Sequence, residues 1–406
     1  LIEKSLADKS KWDFLSKQMI FVTEQLPLTA KAKTVQMYPG QGSQYVGMTY
    51  DLSKRYNIIG ETWKEADKTM IEILQGEKLS TLVFVGDLSD SEKALAEETL
   101  KQTEYTQPSM LTADLAIHRL LEQHGVEPDM VAGHSLGEYA ALTVSGIMKF
   151  HDALRAAAAR GTEMGNVDVP DKGLMASISA PYDVIENVLS SADGYVVPAN
   201  KNSPHMTVIA GETKAVKDVL SIFSEKGISS TILQTSHAFH SKIVAPANEP
   251  LRRFLESLEL SLPKIPITSN YDGSFYPTKL TGNESVHDAV LKQLAPQMAS
   301  PVEWTKQMNA MYDAGGRIFI EVGPKRALSM FGDQILSEKL KLITNTNHPK
   351  VGGVPSFYSA LAVLALAGRL PSLPNSTSSV LTEGFRAGPL EAWDSSESKH
   401  SQEVDA

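Results

Sequence analysis

The sequence has no cysteine among its 406 residues, and this absence excludes several kinds of chemistry together. Without thiols the protein forms no disulfide, holds no metal through thiolates and has no thiolate nucleophile. Any covalent catalysis must therefore use an oxygen or nitrogen nucleophile.

Long apolar runs and an excess of positive charge are also missing. The longest apolar run, near residues 360–368, is too short to cross a bilayer, and the sequence begins with no leader of charged and then apolar residues. The formal net charge of −10 argues against a general affinity for nucleic acid. We therefore expect a cytoplasmic protein that binds neither membrane nor nucleic acid. An anionic substrate would need local cations or helix ends.

The composition is that of an ordinary soluble protein, with 42% hydrophobic and 21% charged residues, and the length suits more than one folding unit. Short strands recur before tight turns and helices, which predicts an α/β fold with a parallel sheet. The predicted division is a linker or cap at 1–33, an α/β core at 34–172 and 236–347, an inserted subdomain at 173–235, a C-terminal helical linker at 348–371 and a disordered tail at 372–406.

The insert at residues 173–235 has a pattern of its own. Strand-like "GLMASIS" precedes helix-like "PYDVIENVLSS", and two strands, a helix and the strand "SSTILQT" follow. This βαββαβ order predicts a ferredoxin-like subdomain. Beyond it, "IPITSN" at 265–270 and "RIFIEVGP" at 317–324 are predicted strands of the resumed core.

The stretch "VAGHSLGEYAAL" at residues 131–142 contains the pattern G-x-S-x-G, with Ser135 at its centre. Strand before and helix after are typical of a nucleophile elbow, in which glycines leave room around a strained, exposed serine. The N–H of Leu136, at the helix start, would face a developing oxyanion. The pattern also occurs by chance, but its context favours a catalytic Ser135.

A catalytic serine needs a base, and "SHAFHS" supplies His237 and His240. A histidine pair could instead bind a metal, but no third ligand with suitable spacing is visible, so we predict no metal site. The two could also be ordinary loop histidines. His240 is the preferred base because it lies nearer the start of the next predicted helix.

Two further residues are candidates for the same site. In "YPGQGSQ" the glycines allow close approach to a ligand, and the N–H of Gln41 could complete an oxyanion hole. A phosphate-binding loop is the rival interpretation, although the usual lysine is missing. Arg160 follows an alanine run; it either pairs with Glu163 or Asp168 or binds a substrate carboxylate through two parallel hydrogen bonds.

Taken in order, these segments resemble the malonyl-CoA:acyl-carrier-protein transacylase family, and most closely the acyltransferase domains of iterative polyketide or polyunsaturated fatty acid synthases. The resemblance covers about residues 35–347. Its motifs are "PGQGSQ", "TQPSMLTADLA", "GHSLGEYAAL", "DALRAAAARG", "NSPHMTVIAG", "SHAFHS", "QMASPVEW" and "EVGP". It implies an α/β-hydrolase-like core with an inserted ferredoxin-like subdomain.

The resemblance also implies roles for the candidate residues. Ser135 resembles the acyl-accepting nucleophile and His240 its base. Gln41 and Leu136 resemble the oxyanion-hole donors through their backbone N–H groups. Arg160 resembles the residue that binds the malonyl carboxylate.

Three more residues take roles by the same resemblance. Gln297 resembles the residue whose backbone carbonyl orients the catalytic histidine, with Gln293 as a nearby alternative. His134 is expected to line the acyl pocket. Phe239, in "HAFH", resembles the residue associated with malonyl rather than methylmalonyl selectivity. Lys325 departs from the family, which often has glycine after "GP".

The implied activity is transfer of a malonyl group from malonyl-CoA to the phosphopantetheine thiol of an acyl carrier protein, by a ping-pong mechanism through an acyl-serine. No cofactor is required. The expected partners are malonyl-CoA, the carrier protein and other domains of a synthase. The alternatives are a serine hydrolase or editing acyl thioesterase that uses the same two residues, and a non-catalytic docking domain of a megasynthase.

Overall fold

The fold is described from a computed structural model, which covers Ser10, residues 31–86 and residues 88–370. The predicted tail at 372–406 and most of the predicted cap at 1–33 lie outside these residues. No helix within the described ranges combines the length and the apolar content needed to cross a membrane.

A four-stranded parallel sheet forms the centre of the larger unit. Its strands are β1 (Lys33–Tyr38), β2 (Met130–Gly133), β7 (Gly316–Pro324) and β8 (Leu342–Asn347), in the spatial order β2-β1-β7-β8. Beyond the exposed Lys33, both faces of β1 and β7 are buried, as is usual for parallel strands in a sheet that helices cover on two sides. Because all three pairings are parallel, the four strands end at the same edge of the sheet.

Helices cover this sheet and continue into the second unit. In chain order they are α1 (Tyr50–Arg55), α2 (Asn57–Met70), α3 (Leu79–Val83), α4 (Asp90–Thr99), α5 (Thr103–Gln123), α6 (Gly137–Val144), α7 (Phe150–Gly165), α8 (Tyr182–Ser190), α9 (Thr213–Glu225), α10 (Asn248–Glu256), α11 (Val286–Leu294), α12 (Trp304–Asp313), α13 (Ala327–Ile335) and α14 (Gly353–Leu366). Short 3₁₀ helices span Lys242–Ala247 and Gln297–Ala299. Helix α5 is buried along most of its length and packs against α2 and α7.

The second unit is an antiparallel sheet with two helices. Strands β3 (Leu174–Ile178), β4 (Val196–Ser203), β5 (Met206–Gly211) and β6 (Ser230–Ile232) lie in the order β4-β5-β3-β6, and α8 and α9 pack on them. A separate apolar core fills this unit and includes Ile178, Ile209 and Phe223. Backbone hydrogen bonds between Ala199, Lys201 and Val302 join it to the larger unit.

The predicted strand at 265–270 is not a regular strand, and that prediction was wrong. Ile267 forms only an isolated parallel bridge with Val131, and Thr268 forms an isolated antiparallel bridge with Phe275. Pro266 has no N–H to donate to a ladder, although its carbonyl accepts a hydrogen bond from the Val131 N–H. The segment therefore lies beside β2 and brings Asn270 to the edge where the parallel strands end.

Helix α14 lies within the segment predicted as a C-terminal helical linker, residues 348–371, and spans Gly353–Leu366. Phe357, Leu361 and Leu364 of α14 belong to the main apolar core, and the helix packs against β8 and α1. Helix α14 is therefore part of the folded core.

Candidate active site

Ser135 lies in the sharp turn between β2 and α6, with a backbone φ of 52°. This left-handed conformation is strained for a residue with a side chain. The neighbouring glycines are needed for space: a Cβ on Gly133 would lie 2.0 Å from the Gly137 carbonyl carbon, and a Cβ on Gly137 would lie 2.0 Å from the Tyr38 carbonyl oxygen. The turn therefore has the geometry of a nucleophile elbow.

His240 is the histidine that reaches the serine. Its Nε2 lies 2.8 Å from Ser135 Oγ, while its Nδ1 lies 3.1 Å from each of the carbonyl oxygens of Gln297 and Ser300. Those carbonyls accept only, so Nδ1 carries the proton and Nε2 is free to accept one. His237 points elsewhere, with its Nε2 3.0 Å from the Val167 carbonyl oxygen.

The His240 imidazole is held neutral. Burial, followed by the positive field of Arg160 and the nearby His134, lowers its pKa to about 3. A neutral imidazole that is hydrogen-bonded to a serine hydroxyl can act as a general base, and carbonyl oxygens on its other nitrogen stabilise the imidazolium that forms. Gln297 supplies one of these carbonyls, whereas Gln293 bonds through its side chain to Ser274, away from the site.

Arg160 projects from α7 into the same site and is 1% exposed. Its Nη2 donates to Ser135 Oγ at 3.2 Å and to Gln297 Oε1 at 3.3 Å, and its Nη1 donates to Gln107 Oε1 at 2.9 Å. Within the described chain it makes none of the ion pairs considered above, and its Nε has no hydrogen-bond partner. Burial lowers the pKa of this guanidinium. A buried cation paired only with neutral oxygens is suited to an anionic ligand.

The loop after β1 packs directly on the elbow. A Cβ on Gly40 would lie 2.4 Å from the His134 carbonyl oxygen and 3.3 Å from the Leu136 nitrogen, so only glycine fits there. The half-buried Gln41 follows Gly40 directly in this loop. Lys325 Nζ donates to the Gly42 carbonyl oxygen at 2.9 Å and ties the loop to the end of β7.

His134 directly precedes Ser135 in the chain, and Phe239 directly precedes His240. The Nε2 of His134 is 2.7 Å from Asn202 Oδ1, and its ring packs edge-on against Trp304, with centroids 5.6 Å apart. Burial lowers the pKa of His134 to about 4. Phe239 is 6% exposed and its ring centroid lies 6.3 Å from that of His237.

Several residues that sequence reasoning missed complete the site. Glu138, Asn270 and Tyr276 form a buried network beneath the serine, and Gln107 holds Arg160. Glu138 had a visible signal, because it lies three residues after Ser135 in a predicted helix. Gln107 lies within the "TQP" motif. Asn270 and Tyr276 belong to an irregular segment and gave no signal.

A cavity of about 280 Å³ opens beside Gln41. It is lined by the start of α5, the end of α7 and the loop after β6 and includes Lys101, Thr103, Asn166 and Gln234. Within the described ranges, no three His, Asp or Glu side chains are close enough together to hold a metal ion.

Residues 35–368 match the acyl transferase domain family. The chain is 32% identical over 303 residues to the malonyl CoA-acyl carrier protein transacylase of Bacillus subtilis (strain 168), a match that covers 73% of this chain and 89% of that protein. It is also similar to the acyltransferase domain of the second module of the salinomycin polyketide synthase, with a TM-score of 0.72, 28% identity and coverage of 87% of this chain and 78% of that one.

A third similar structure is a malonyl-transacylase in complex with a type II polyketide acyl-carrier protein. Its TM-score is 0.69 and its identity is 30%, over 82% of this chain and 99% of that chain. The match to the family spans both folded units and contains Ser135, His240 and Arg160. The chain therefore belongs to the acyl transferase domain family.

Proposed function

We propose that this protein transfers a malonyl group from malonyl-CoA to the phosphopantetheine thiol of an acyl carrier protein. The observation that carries the proposal is the position of Ser135 Oγ, which lies 2.8 Å from His240 Nε2 and 3.2 Å from Arg160 Nη2. One oxygen thus contacts both a neutral base and a buried cation. Similar proteins named malonyl CoA-acyl carrier protein transacylases support the choice of acyl group and acceptor.

In the first half-reaction Ser135 Oγ attacks the thioester carbonyl of malonyl-CoA, and its proton passes to His240 Nε2. The Gln41 and Leu136 N–H groups stabilise the oxyanion of the tetrahedral intermediate. As the carbon–sulfur bond breaks, His240 returns the proton to the sulfur, and free CoA leaves. The product is malonyl-Ser135, an ester, and no redox change occurs.

In the second half-reaction the carrier's thiol gives its proton to His240 and attacks the ester carbonyl. The same N–H groups hold the oxyanion. The Ser135 oxygen then leaves with the proton from His240, so the free enzyme and a malonyl thioester are regenerated. These steps need no metal or cofactor. The carrier protein would deliver its thiol to malonyl-Ser135, and a partner of this kind is bound in the similar complex.

Arg160 and Phe239 would select the acyl group. The guanidinium is desolvated before substrate arrives, so exchange of its neutral partners for a carboxylate is favourable, and two parallel hydrogen bonds suit its planar shape. Phe239 would narrow the space that a branching methyl needs, a modest discrimination. His134 would border this pocket.

We further infer that the core is α/β-hydrolase-like and the inserted unit ferredoxin-like. The parallel sheet with its elbow supports the first, and the strand order β4-β5-β3-β6 with two helices supports the second. The chain aligns with only 12% of a hybrid polyketide–peptide synthetase of Aspergillus candidus, which supports other synthase domains as partners.

The proposal is tested by measuring the intact mass of the protein after brief incubation with malonyl-CoA. We expect one malonyl adduct on the wild type and none on Ser135→Ala, because the hydroxyl is the acceptor. Addition of a phosphopantetheinylated carrier protein should discharge the adduct. Steady release of malonate without an adduct would mean a hydrolase, and neither adduct nor turnover would favour a docking domain.

Substitution of Arg160 separates transfer of malonyl from general ester chemistry. We expect Arg160→Ala to slow malonylation by at least about 100-fold, because a buried charge–carboxylate contact is lost. Acetylation by acetyl-CoA should fall much less, since that group has no carboxylate. The check is the ratio of the two single-turnover rates. An equal fall in both would remove Arg160 as the carboxylate-binding residue.

A further inference from the structure

The strained backbone of Ser135 is held on both sides by side-chain amides. Its N–H donates to Asn270 Oδ1 at 2.8 Å, and its carbonyl oxygen accepts from Gln297 Nε2 at 2.7 Å. Asn270 Nδ2 also donates to the Gly133 carbonyl oxygen at 2.8 Å. The two peptide groups that fix the elbow's conformation therefore depend on the orientation of two amide side chains.

Both amides converge on one carboxyl group. Glu138 Oε2 accepts from Asn270 Nδ2 at 2.6 Å and from Gln297 Nε2 at 2.9 Å, and its Oε1 accepts from the Tyr276 hydroxyl at 2.7 Å and the Asn270 N–H at 3.3 Å. Glu138 is fully buried, and α6 places it one turn beyond the serine.

An ionised carboxylate only accepts hydrogen bonds, and this dictates how the amides point. Their NH₂ groups must face Glu138, so the oxygen of Asn270 faces Ser135 and the oxygen of Gln297 faces Arg160 Nη2, 3.3 Å away. We infer that Glu138 is a positioning residue whose carboxylate, through Asn270 and Gln297, sets the Ser135 backbone and orients Arg160. The inference rests on the proposed malonyl transfer.

The charges around Glu138 agree with this role. Arg160, from α7, is the cation nearest to it in the network and is separated from it by the Gln297 amide. The other titratable groups facing Glu138 are Tyr139, from its own helix, and Tyr276, both with pKa values raised by burial and by Glu138, so both are neutral hydroxyls. His240 is neutral as well. The carboxylate therefore serves as the counter-charge of Arg160 at a distance.

Because the arrangement needs an ionised Glu138, the rate of acylation should depend on pH through the protonation of this carboxylate. Burial raises its pKa to about 7, against the lowering effect of Tyr276, Gln297 and Asn270, whereas the pKa of His240 is about 3. Below neutral pH Glu138 takes a proton, becomes a donor and releases one of the amides. The acid limb of the acylation rate should then lie near pH 7 and belong to Glu138, with His240 still an active base.

The experiment is single-turnover malonylation by malonyl-CoA across the pH range, with Glu138→Gln as the test variant. The NH₂ group of the introduced glutamine would face the NH₂ group of Asn270 or Gln297 and displace that amide. We therefore expect acylation to be about 100-fold slower, which is the loss that a small misplacement of reacting groups causes. The acid limb should disappear. An acid limb that persists at the same pH, or a rate equal to wild type, would overturn the inference.

Tyr276→Phe is the matched control, since it removes a donor to Glu138 but leaves both amides in place. We expect the acid limb to move to higher pH, because one interaction that lowers the pKa of Glu138 is gone. If Glu138→Gln does not fold, the pH of the acid limb in Tyr276→Phe is the deciding measurement. An acid limb at the same pH as in wild type would contradict the inference. Wild-type protein that takes up no malonyl group would instead refute the proposed function.

Discussion

Lys325 adopts a backbone conformation that glycine adopts more easily, with a φ of 67° at the end of β7. Its side chain reaches across to the loop that carries Gln41 and donates to the Gly42 carbonyl oxygen at 2.9 Å. Partial burial lowers the pKa of its amine. The strained backbone therefore coincides with a side-chain contact to the loop of the candidate oxyanion hole.

Replacement of Lys325 by glycine should therefore separate stability from activity. We expect Lys325→Gly to be as stable as wild type or up to about 1 kcal/mol more stable, because the left-handed strain is relieved. Malonylation should nevertheless slow by roughly 3- to 10-fold, since the loop loses a positioning contact. Thermal unfolding and single-turnover acylation measure the two effects. Lys325→Arg, which keeps a cationic donor, is the control. A Lys325→Gly variant that is malonylated as fast as wild type would show that the hydrogen bond to the loop is dispensable.

The residues of the site differ in how far the sequence reveals them. Ser135 could be predicted because its elbow is a local pattern of strand, glycines and helix. His240 and Arg160 needed the family resemblance, because the residues alone left each with rival interpretations. Asn270 could not be predicted, since its partners Ser135 and Glu138 are 135 and 132 residues away and its own segment has no regular structure.

At the scale of elements, the contact between the start of α6 and the end of β1 determines how closely the elbow approaches the loop of Gln41. Gly137 allows it, because a Cβ there would lie 2.0 Å from the Tyr38 carbonyl oxygen and 2.9 Å from that of Pro39. Both obstacles are backbone atoms, which cannot rotate away. The helix must therefore move if any side chain is added.

We expect Gly137→Ala to lower the free energy of unfolding by about 1–3 kcal/mol through this overpacking, and to abolish most malonylation by moving Ser135. Gly60, within α2, is the control because a Cβ there meets no atom within 4 Å. Gly60→Ala should raise the free energy of unfolding by about 0.5–1 kcal/mol. Denaturant unfolding compares the two. Equal changes in the free energy of unfolding for the two variants would contradict the close backbone contact at Gly137.

The elements themselves were predicted unevenly for a physical reason. Strands β1 and β7 were predicted from short stretches rich in apolar residues, and the inserted unit was predicted from its order of strands and helices. The segment at 265–270 has the same apolar appearance, but Pro266 removes a donor and its last residues are polar, so only isolated bridges form. Composition indicates burial, whereas a ladder also needs a donor from each bonded residue.

At the scale of the whole molecule, two buried carboxyl groups, one on β7 and one on α5, make the stability of the fold depend on pH. Glu321 of β7 accepts hydrogen bonds from the N–H groups of Leu328 and Ser329 at the start of α13, and burial raises its pKa to about 7. Asp114 of α5 is buried, neither of its oxygens has a hydrogen-bond partner in the described chain, and its pKa is raised well above the usual range by burial and by Glu321.

A carboxyl group whose pKa is higher in the folded state binds its proton more tightly there, so it stabilises the fold at low pH and loses that contribution as pH rises through the folded value. For Glu321 the window runs from its usual value of 4.5 to about 7. Within this window the unfolded chain ionises this glutamate while the folded protein keeps the proton, so the stability of the fold decreases as pH rises. Lowered histidine pKa values act in the opposite direction below pH 6.5, so the wild-type curve alone mixes the two effects.

A difference between variants isolates the contribution of Glu321. The stability of Glu321→Gln relative to wild type should rise between about pH 4.5 and pH 7, by a total on the order of 3 kcal/mol, and then stay constant, because glutamine carries no charge to bury and still accepts one hydrogen bond. Asp114→Asn is a second test of the same effect: folded Asp114 keeps its proton while the unfolded chain loses it above its usual value of 3.8, so the stability of this variant relative to wild type should also rise with pH through this window. Denaturant unfolding at several pH values gives both differences. A flat curve for Glu321→Gln would mean that Glu321 is already ionised in the folded protein at low pH, so that the α13 N–H groups outweigh its burial.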